Sequence, residues 1–309
     1  MSFEYAILVK NKTRLEILIE RFNTKAQAKF YIERSGGNFE EYEIEHDQFQ
    51  TSLSRVQRNL SKVIKNKIVD RSFLPSFLFN ENHLVIVVGQ DGLVANTAKY
   101  VNGNPIIAIN PDTERYDGYL LPYTPDNFVE AVEKVMSNNY VCRTTTFAEA
   151  RLNDGQRLLA FNDLFIGTSS HVSARYKISY GQEVENHSSS GVIVSTKSGS
   201  TGWLSSIFNM TFGMNKFIQK QKDKKKIPKL KDNQLMFVVS EPFESKKSQT
   251  DLTVGVITSQ HPLIIDSFMP SNGVIFSDGI EADFLNFNSG AIATISIAKE
   301  TANLVVKNL

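Results

Sequence analysis

Three short stretches carry residue types whose spacing suits chemistry on a phosphorylated ligand. The first is Val88-Gly89-Gln90-Asp91-Gly92-Leu93, which follows a continuous apolar run. Glycines there let the backbone turn tightly and approach a ligand closely. A helix start just beyond offers unpaired N–H groups and partial positive charge to a phosphate. Asp91 between the glycines can take a proton from an attacking hydroxyl or help place a metal. The plain alternative is a structural turn with Asp91 as a helix cap. The second stretch is Ser195-Thr196-Lys197-Ser198-Gly199-Ser200-Thr201-Gly202-Trp203-Leu204-Ser205-Ser206, dense in hydroxyls and glycine and holding the chain's only tryptophan. Hydroxyls and amides there suit ribose or phosphate, and Trp203 suits stacking on a base. A polar turn with Trp203 in the core is the competing reading. The third is Asn162-Asp163, an amide beside a carboxylate, which reads donors and acceptors together but is also a common turn pair.

Other chemistries are excluded or unsupported. No Walker loop and no GxGxxG fingerprint occurs. Gly199-Ser200-Thr201-Gly202 lacks nucleophile-elbow spacing. The five histidines, His46, His83, His171, His187 and His261, show no metal-ligand spacing. One cysteine, Cys142, rules out an intrachain disulfide framework and a cysteine-rich zinc site, and fits a reducing compartment. Lys plus Arg number 34 against 33 Asp plus Glu, so the net charge of +1 gives no reason to expect nucleic acid or a membrane as partner. No stretch approaches the roughly 18 apolar residues of a membrane span. The opening Met1–Lys10 reads as a first strand rather than a signal or transit peptide. The expectation is a cytoplasmic protein, or one already processed.

The elements that must position these residues fall into two textures. With 309 residues and 41% hydrophobic composition, the chain suits two domains with sizeable cores. In residues 1–139, strand and helix patterns alternate. Tyr5–Val9, Leu84–Val88 and Pro105–Ile109 read as strands. Arg14–Phe22, Lys25–Arg34, Gln48–Val63 and Leu93–Val101 read as helices. Thr124-Pro125-Asp126 reads as a further helix start, with a capping hydroxyl and a first-turn proline. In residues 140–294, short strands (Ala174–Ser179, Gly191–Thr196, Leu235–Val239, Gly273–Ser277, Ala291–Ile297) alternate with turn signals such as Asn153-Asp154-Gly155 and Ser277-Asp278-Gly279. The fold class expected is α/β plus β. Lys216 to Lys231 carries eight lysines, either a solvated helix end and loop or a basic lip for phosphates.

Taken in order, Gly89–Leu93, Asn162-Asp163 and Ser198–Trp203 resemble the GGDGT loop, the Asn-Glu/Asp pair and the TGSTAY-like segment of the NAD kinase family. The resemblance extends from Ile7–Arg14 through Asn110–Arg115 and Ser173–Ile178 to Asp278-Gly279 and Phe287–Ala293, nearly the whole chain. It is nearest the mitochondrial-type branch and its bacterial relatives. Gln90 stands where the family has its second glycine, Leu93 where it has threonine, and Ser190 where most members carry an acid.

The resemblance implies an N-terminal Rossmann-like α/β domain and a C-terminal all-β, sandwich-like domain. It also implies a tail of about residues 295–309 packing back on the first domain. It implies transfer of the ATP γ-phosphoryl group to the adenosine 2′-hydroxyl of NAD, with Mg²⁺ on the ATP phosphates and a homodimer or larger homo-oligomer. Asp91 would be the general base, with Gly89 and Gly92 in the phosphate loop. Asn162, Asp163, Thr201, Gly202, Trp203 and Ser206 would form the NAD site, with Ser190 and Arg175 as further contacts. A weakly active NAD-binding regulator and a kinase for another hydroxyl acceptor are the alternatives. NADH as acceptor and polyphosphate as donor stay open.

Overall fold

The computed structural model describes residues 3–219 and 228–307. Lys220, Lys222 and Lys224–Lys226 of the basic segment lie outside the described residues. The chain forms two compact units, Met1–Thr144 with Ala302–Leu309, and Thr145–Thr301. The change of texture expected at residue 140 and the tail expected near 295 fall a few residues before these divisions.

The first unit runs β1 (Tyr5–Lys10), α1 (Arg14–Phe22), α2 (Lys25–Arg34), α3 (Glu40–Leu60), β2 (Asn66–Asp70), β3 (His83–Val88), α4 (Asp91–Ala98), β4 (Pro105–Ile109) and α5 (Phe128–Met136). Its strands pair in parallel in the order β2-β1-β3-β4. Beyond β4 the sheet gains Asn303 and Leu304, opposite Pro105 and Ile106 and also parallel. Leu84–Val88 and Ile106–Ile109 are at most 1% exposed, which explains their unbroken apolar runs: helices cover both faces of a parallel sheet. The chain leaves β1 first for β2 on one side and then for β3 on the other. That reversal of strand order falls between β1 and β3, and open α/β sheets bind ligands at the carboxyl ends of the strands flanking such a point.

Local chemistry sets several boundaries. Thr13 and Glu16 form a capping box at the start of α1, which fixes its first turn. Helix α5 begins at Phe128 rather than at Pro125. Asn127 Oδ1 accepts the Thr124 N–H at 2.8 Å, and the Asn127 N–H donates to the Thr124 carbonyl at 3.2 Å, so residues 124–127 close a turn before the helix.

The second unit contains β5 (Val141–Leu152, of which the first residues belong to the first unit), β6 (Arg157–Ala160), β7 (Asp163–Thr168), β8 (Ala174–Tyr180), β9 (Glu183–Ser189), β10 (Gly191–Ser195), α6 (Trp203–Gln219), β11 (Leu235–Ser240), β12 (Val254–Ile257), β13 (Leu263–Ser267), β14 (Gly273–Ser277), β15 (Ile280–Asn286) and β16 (Ile292–Val306, ending in the first unit). One antiparallel sheet has the order β12-β11-β10-β7-β14-β15. The other set pairs β16 with β13, β13 with β8 and β8 with β9, also antiparallel. Alternate residues of both sets, among them Leu164, Ile166, Val192, Val194, Tyr176, Ile178, Ile265 and Ile295, share one buried cluster. The unit is therefore β-rich and sandwich-like, with α6 as its long helix.

Candidate functional site

In the first unit the Gly89–Gly92 turn connects β3 to α4 at the carboxyl edge of the sheet. Asp91 is the first residue of α4, so the cap position falls to Gln90, whose exposed side chain makes no capping bond. Asp91 Oδ1 accepts the Leu120 N–H at 2.6 Å, from the loop that follows β4. It has no other partner among the described residues, which leaves its second oxygen available. The first N–H groups of α4 also lack intrahelical partners, as at any helix start. A Cβ at Gly89 would lie 2.8 Å from Leu93 Cδ2, so any larger residue there would make the Leu93 side chain shift. Leu93 is thus a buried filler beneath the loop, in place of a hydroxyl. At Gly92 an added Cβ would meet nothing within 4 Å, so this glycine leaves open space above the helix start. The loop from Asn110 to Leu120 is itself braced. Asn110 Nδ2 donates to the Tyr116 carbonyl at 2.9 Å, and Asn110 Oδ1 accepts the Asp112 N–H at 3.0 Å.

In the second unit Asn162-Asp163 sits at the corner entering β7. Asp278, in the turn between β14 and β15, receives three consecutive amides. Its Oδ2 accepts the Phe161 N–H at 3.0 Å, and its Oδ1 accepts those of Asn162 at 2.6 Å and Asp163 at 3.3 Å. The Asp278 N–H returns a bond to the Asp163 carbonyl at 2.9 Å. Thr196 takes the remaining carbonyls: its N–H donates to Asn162 O at 2.9 Å and its hydroxyl to Phe161 O at 2.7 Å. Gly199 closes over the corner, with its N–H on Thr196 Oγ1 at 3.2 Å. The corner is held entirely by its backbone. The Asn162 side chain makes no bond among the described residues, and Asp163 Oδ1 is buried without a partner. Burial pushes the Asp163 carboxyl up to about 7; the Ser195 hydroxyl opposes that shift and the neighbouring Asp278 charge adds to it.

Along β7, Asp163, Phe165 and Gly167 share one face, because side chains alternate in a strand. The Trp203 ring lies parallel to Phe165, with centroids 5.8 Å apart and planes at 6°, and Phe276 stacks on Phe165 at 4.9 Å. Trp203 remains 40% exposed, so it is not a core residue and keeps surface for a planar ligand. Phe165 also lines a groove of about 1070 Å³ with Ser169, Ser173, Ser190, Asn272 and Phe276. Ser190 donates to Glu241 at its rim.

The sequence-derived residues of this unit therefore gather in part. Asn162, Asp163 and the 196–199 turn form one corner, Trp203 stands on the same strand face, and Ser190 lies in the adjoining groove. Thr201 and Gly202 are exposed beside Trp203, and the Ser206 hydroxyl points back to the Gly202 carbonyl at 3.4 Å. Arg175 is exposed on β8 and does not line the groove. Sequence reasoning gave no individual role to Phe165 or Phe276, and it named Thr196 and Asp278 only within their segments, without the contacts they make to this corner. The alternation Asp163-Leu164-Phe165-Ile166-Gly167 holds the signal for Phe165. No local signal marks Asp278 beyond its turn. Among the described residues, no three His, Cys, Asp or Glu side chains gather as a metal site, and no helix is long and apolar enough to cross a membrane.

The fold of this chain is similar to those of solved NAD(H) kinases. Among solved structures, yeast NADH kinase complexed with NADH aligns with a TM-score of 0.61 at 13% identity, covering 100% of this chain and 84% of that one. An NAD kinase from Archaeoglobus fulgidus in complex with ATP aligns with a TM-score of 0.54 at 15% identity, covering 97% and 92%. At these identities the likeness shows the fold. No family model matches the chain. Curated relatives include an NAD kinase of Chlorobium phaeobacteroides, 32% identical over 123 residues, 38% of this chain and 42% of the relative. A bifunctional NADP phosphatase/NAD kinase of Methanococcus maripaludis is 28% identical over 149 residues, 45% of this chain and 26% of the relative. The matches span less than half of these relatives' own length. Part of the chain is thus similar in sequence to curated NAD kinases, and its fold is similar to those of two solved NAD(H) kinases.

Proposed function

We propose that the chain transfers the γ-phosphoryl group of ATP to the adenosine 2′-hydroxyl of NAD, giving NADP and ADP. The observation that carries the reading is Asp91. Its carboxylate is fixed by the Leu120 amide at the positive end of a helix, with one oxygen left to accept a proton. As the 2′-oxygen bonds to the γ-phosphorus, its proton passes to Asp91, and the bond from the γ-phosphorus to the β–γ bridging oxygen breaks with ADP as leaving group. The backbone-held Asn162 and Asp163 would supply hydrogen bonds to the adenosine end, and Trp203 a face for the base. A lone carboxylate fits Mg²⁺ carried chiefly by the ATP phosphates, where the ion would spread developing negative charge. Residues 1–139 and 140–294 are the proposed functional domains. A homo-oligomer and the mitochondrial-type branch, the latter from Ser190, complete the reading.

The test is NADP formation by purified protein with ATP, Mg²⁺ and NAD. Asp91→Asn should retain the fold and NAD binding and lower kcat by about 10²–10⁴-fold, the usual contribution of a positioned base. Near-normal turnover in that variant would remove Asp91 from the role. A second reading is favoured by Gln90, an exposed side chain at the turn where a phosphate would sit. It is a binding-only homologue, revealed by tight NAD binding without turnover.

A further inference from the structure

We propose that Asp278 and Thr196 are positioning residues that clamp the Phe161–Asp163 corner, so that the Asn162 and Asp163 side chains are presented to the adenosine end of the nucleotide. The inference rests on the kinase reading and adds two residues to it. Every N–H and C=O of Phe161, Asn162 and Asp163 is bonded by one of these two residues: the amides to the Asp278 carboxylate, two carbonyls to Thr196, and the third to the Asp278 N–H. Backbone groups usually find such partners in a sheet ladder or a helix. Here two residues from distant segments do the work, four bonds through their side chains and two through their N–H groups, and a carboxylate accepting three amides is a charge-assisted arrangement. A corner so completely bound through its backbone leaves the Asn162 side chain and one Asp163 carboxyl oxygen unspent, the Ser195 hydroxyl being the protein's hydrogen bond to that carboxyl. Asn162 has no protein partner among the described residues, and Asp163 Oδ1 is buried without one, a costly state unless a ligand answers it.

The clamp is also electrostatic. Asp278 lies close enough to Asp163 to make ionisation of Asp163 harder, on top of its burial. Asp163 therefore holds its proton to about pH 7 and is able to donate a hydrogen bond as well as accept one. Other acidic or basic side chains do not enter this balance: burial and the Ser195 hydroxyl are the remaining causes.

The experiment compares wild type, Asp278→Asn and Thr196→Val in steady-state kinetics with NAD and ATP varied separately. Asp278→Asn keeps the size of the side chain but loses the charge and turns an amide toward one of the three donors. Thr196→Val removes only the hydroxyl, so it carries the test if Asp278→Asn does not fold. We expect the NAD KM to rise by about tenfold or more, the order of losing a hydrogen bond to a charged group, with the ATP KM changed less than about twofold. We also expect the acidic group seen in the pH profile of NAD kcat/KM to titrate at lower pH in Asp278→Asn, a change that a purely structural loss does not produce. Parallel rises in both KM values, or unchanged kinetics in a folded variant, would overturn the proposal. A wild type that makes no NADP would instead sink the kinase reading itself.

Discussion

Gly199→Ala is a small change with a large expected consequence. A Cβ at Gly199 would lie 2.7 Å from the Asn162 carbonyl carbon and 2.7 Å from Asp163 Oδ1, and closer still to the Asn162 carbonyl oxygen. Non-bonded carbons rest at about 3.5–4.0 Å, so the two segments must part by about 1 Å. The obstacle is backbone, held by Thr196 from one side and Asp278 from the other, and it does not rotate away. Overpacking of this kind costs about 1–3 kcal/mol. The functional effect should be larger than the loss of stability suggests, because a displacement of about 1 Å in a positioning group costs on the order of 10²-fold in rate. The assay is NADP formation with NAD varied, beside a thermal melt. Gly213→Ala serves as the control: it lies within α6 with nothing within 4 Å of an added Cβ, and should gain about 1 kcal/mol in stability from helix propensity. Wild-type kcat/KM for NAD in a Gly199→Ala protein of unchanged melting temperature would refute the close packing of this corner and the argument built on it.

Two further outcomes follow from the same unit. Trp203→Ala should weaken NAD binding by about tenfold, since stacking on a base is worth about 1–3 kcal/mol, while leaving the melting temperature nearly unchanged because the ring is 40% exposed. Calorimetric titration with NAD checks this, and an unchanged dissociation constant would reduce the Trp203–Phe165 stack to a structural contact. The second concerns pH and Asp163. Folded, this carboxyl keeps its proton to about pH 7, whereas the unfolded chain releases it near pH 4. Rising pH between those values therefore favours unfolding, by up to about 1.4 kcal/mol per unit from this group. Asp163→Asn cannot ionise, so its stability relative to wild type should climb from pH 4 to about 7 and then level off. Parallel stability-versus-pH curves for the two proteins would show that Asp163 titrates normally.

What could be read in the sequence depended on how local the physics was. β3 and β4 announced themselves because strands covered on both faces carry unbroken apolar runs. β2 (Asn66–Asp70) did not, since it is a half-exposed edge strand with mixed residues. The first turns of α3 escaped because Glu40–Glu43 is acidic and shows no apolar period, although acids suit the positive end of a helix. The α5 start was misplaced because Thr124 looked like a cap, while Asn127 reached back and closed a turn instead. The glycine turn and the Asn162-Asp163 pair were visible as residue types in order. Their geometry was not. Asp278 lies 116 positions from Asn162 in the chain, and nothing in Ser277-Asp278-Gly279 marks its carboxylate as the acceptor of that corner's amides.

The pairing of Asn303 and Leu304 with β4 has a bearing on how the protein is made. Tyr123 bridges the open side of β4 at Ile109, but Pro105 and Ile106 find their neighbours there in residues synthesised nearly two hundred positions later, after the β-rich unit. At a synthesis rate of about 5–20 residues per second, that interval is on the order of ten seconds or more. Throughout it the nascent first unit carries an unpaired strand edge, the kind of surface that recruits stray strands. Its sheet is finished from the far end of the message, so a stall or truncation anywhere in the second unit leaves the first one unsealed.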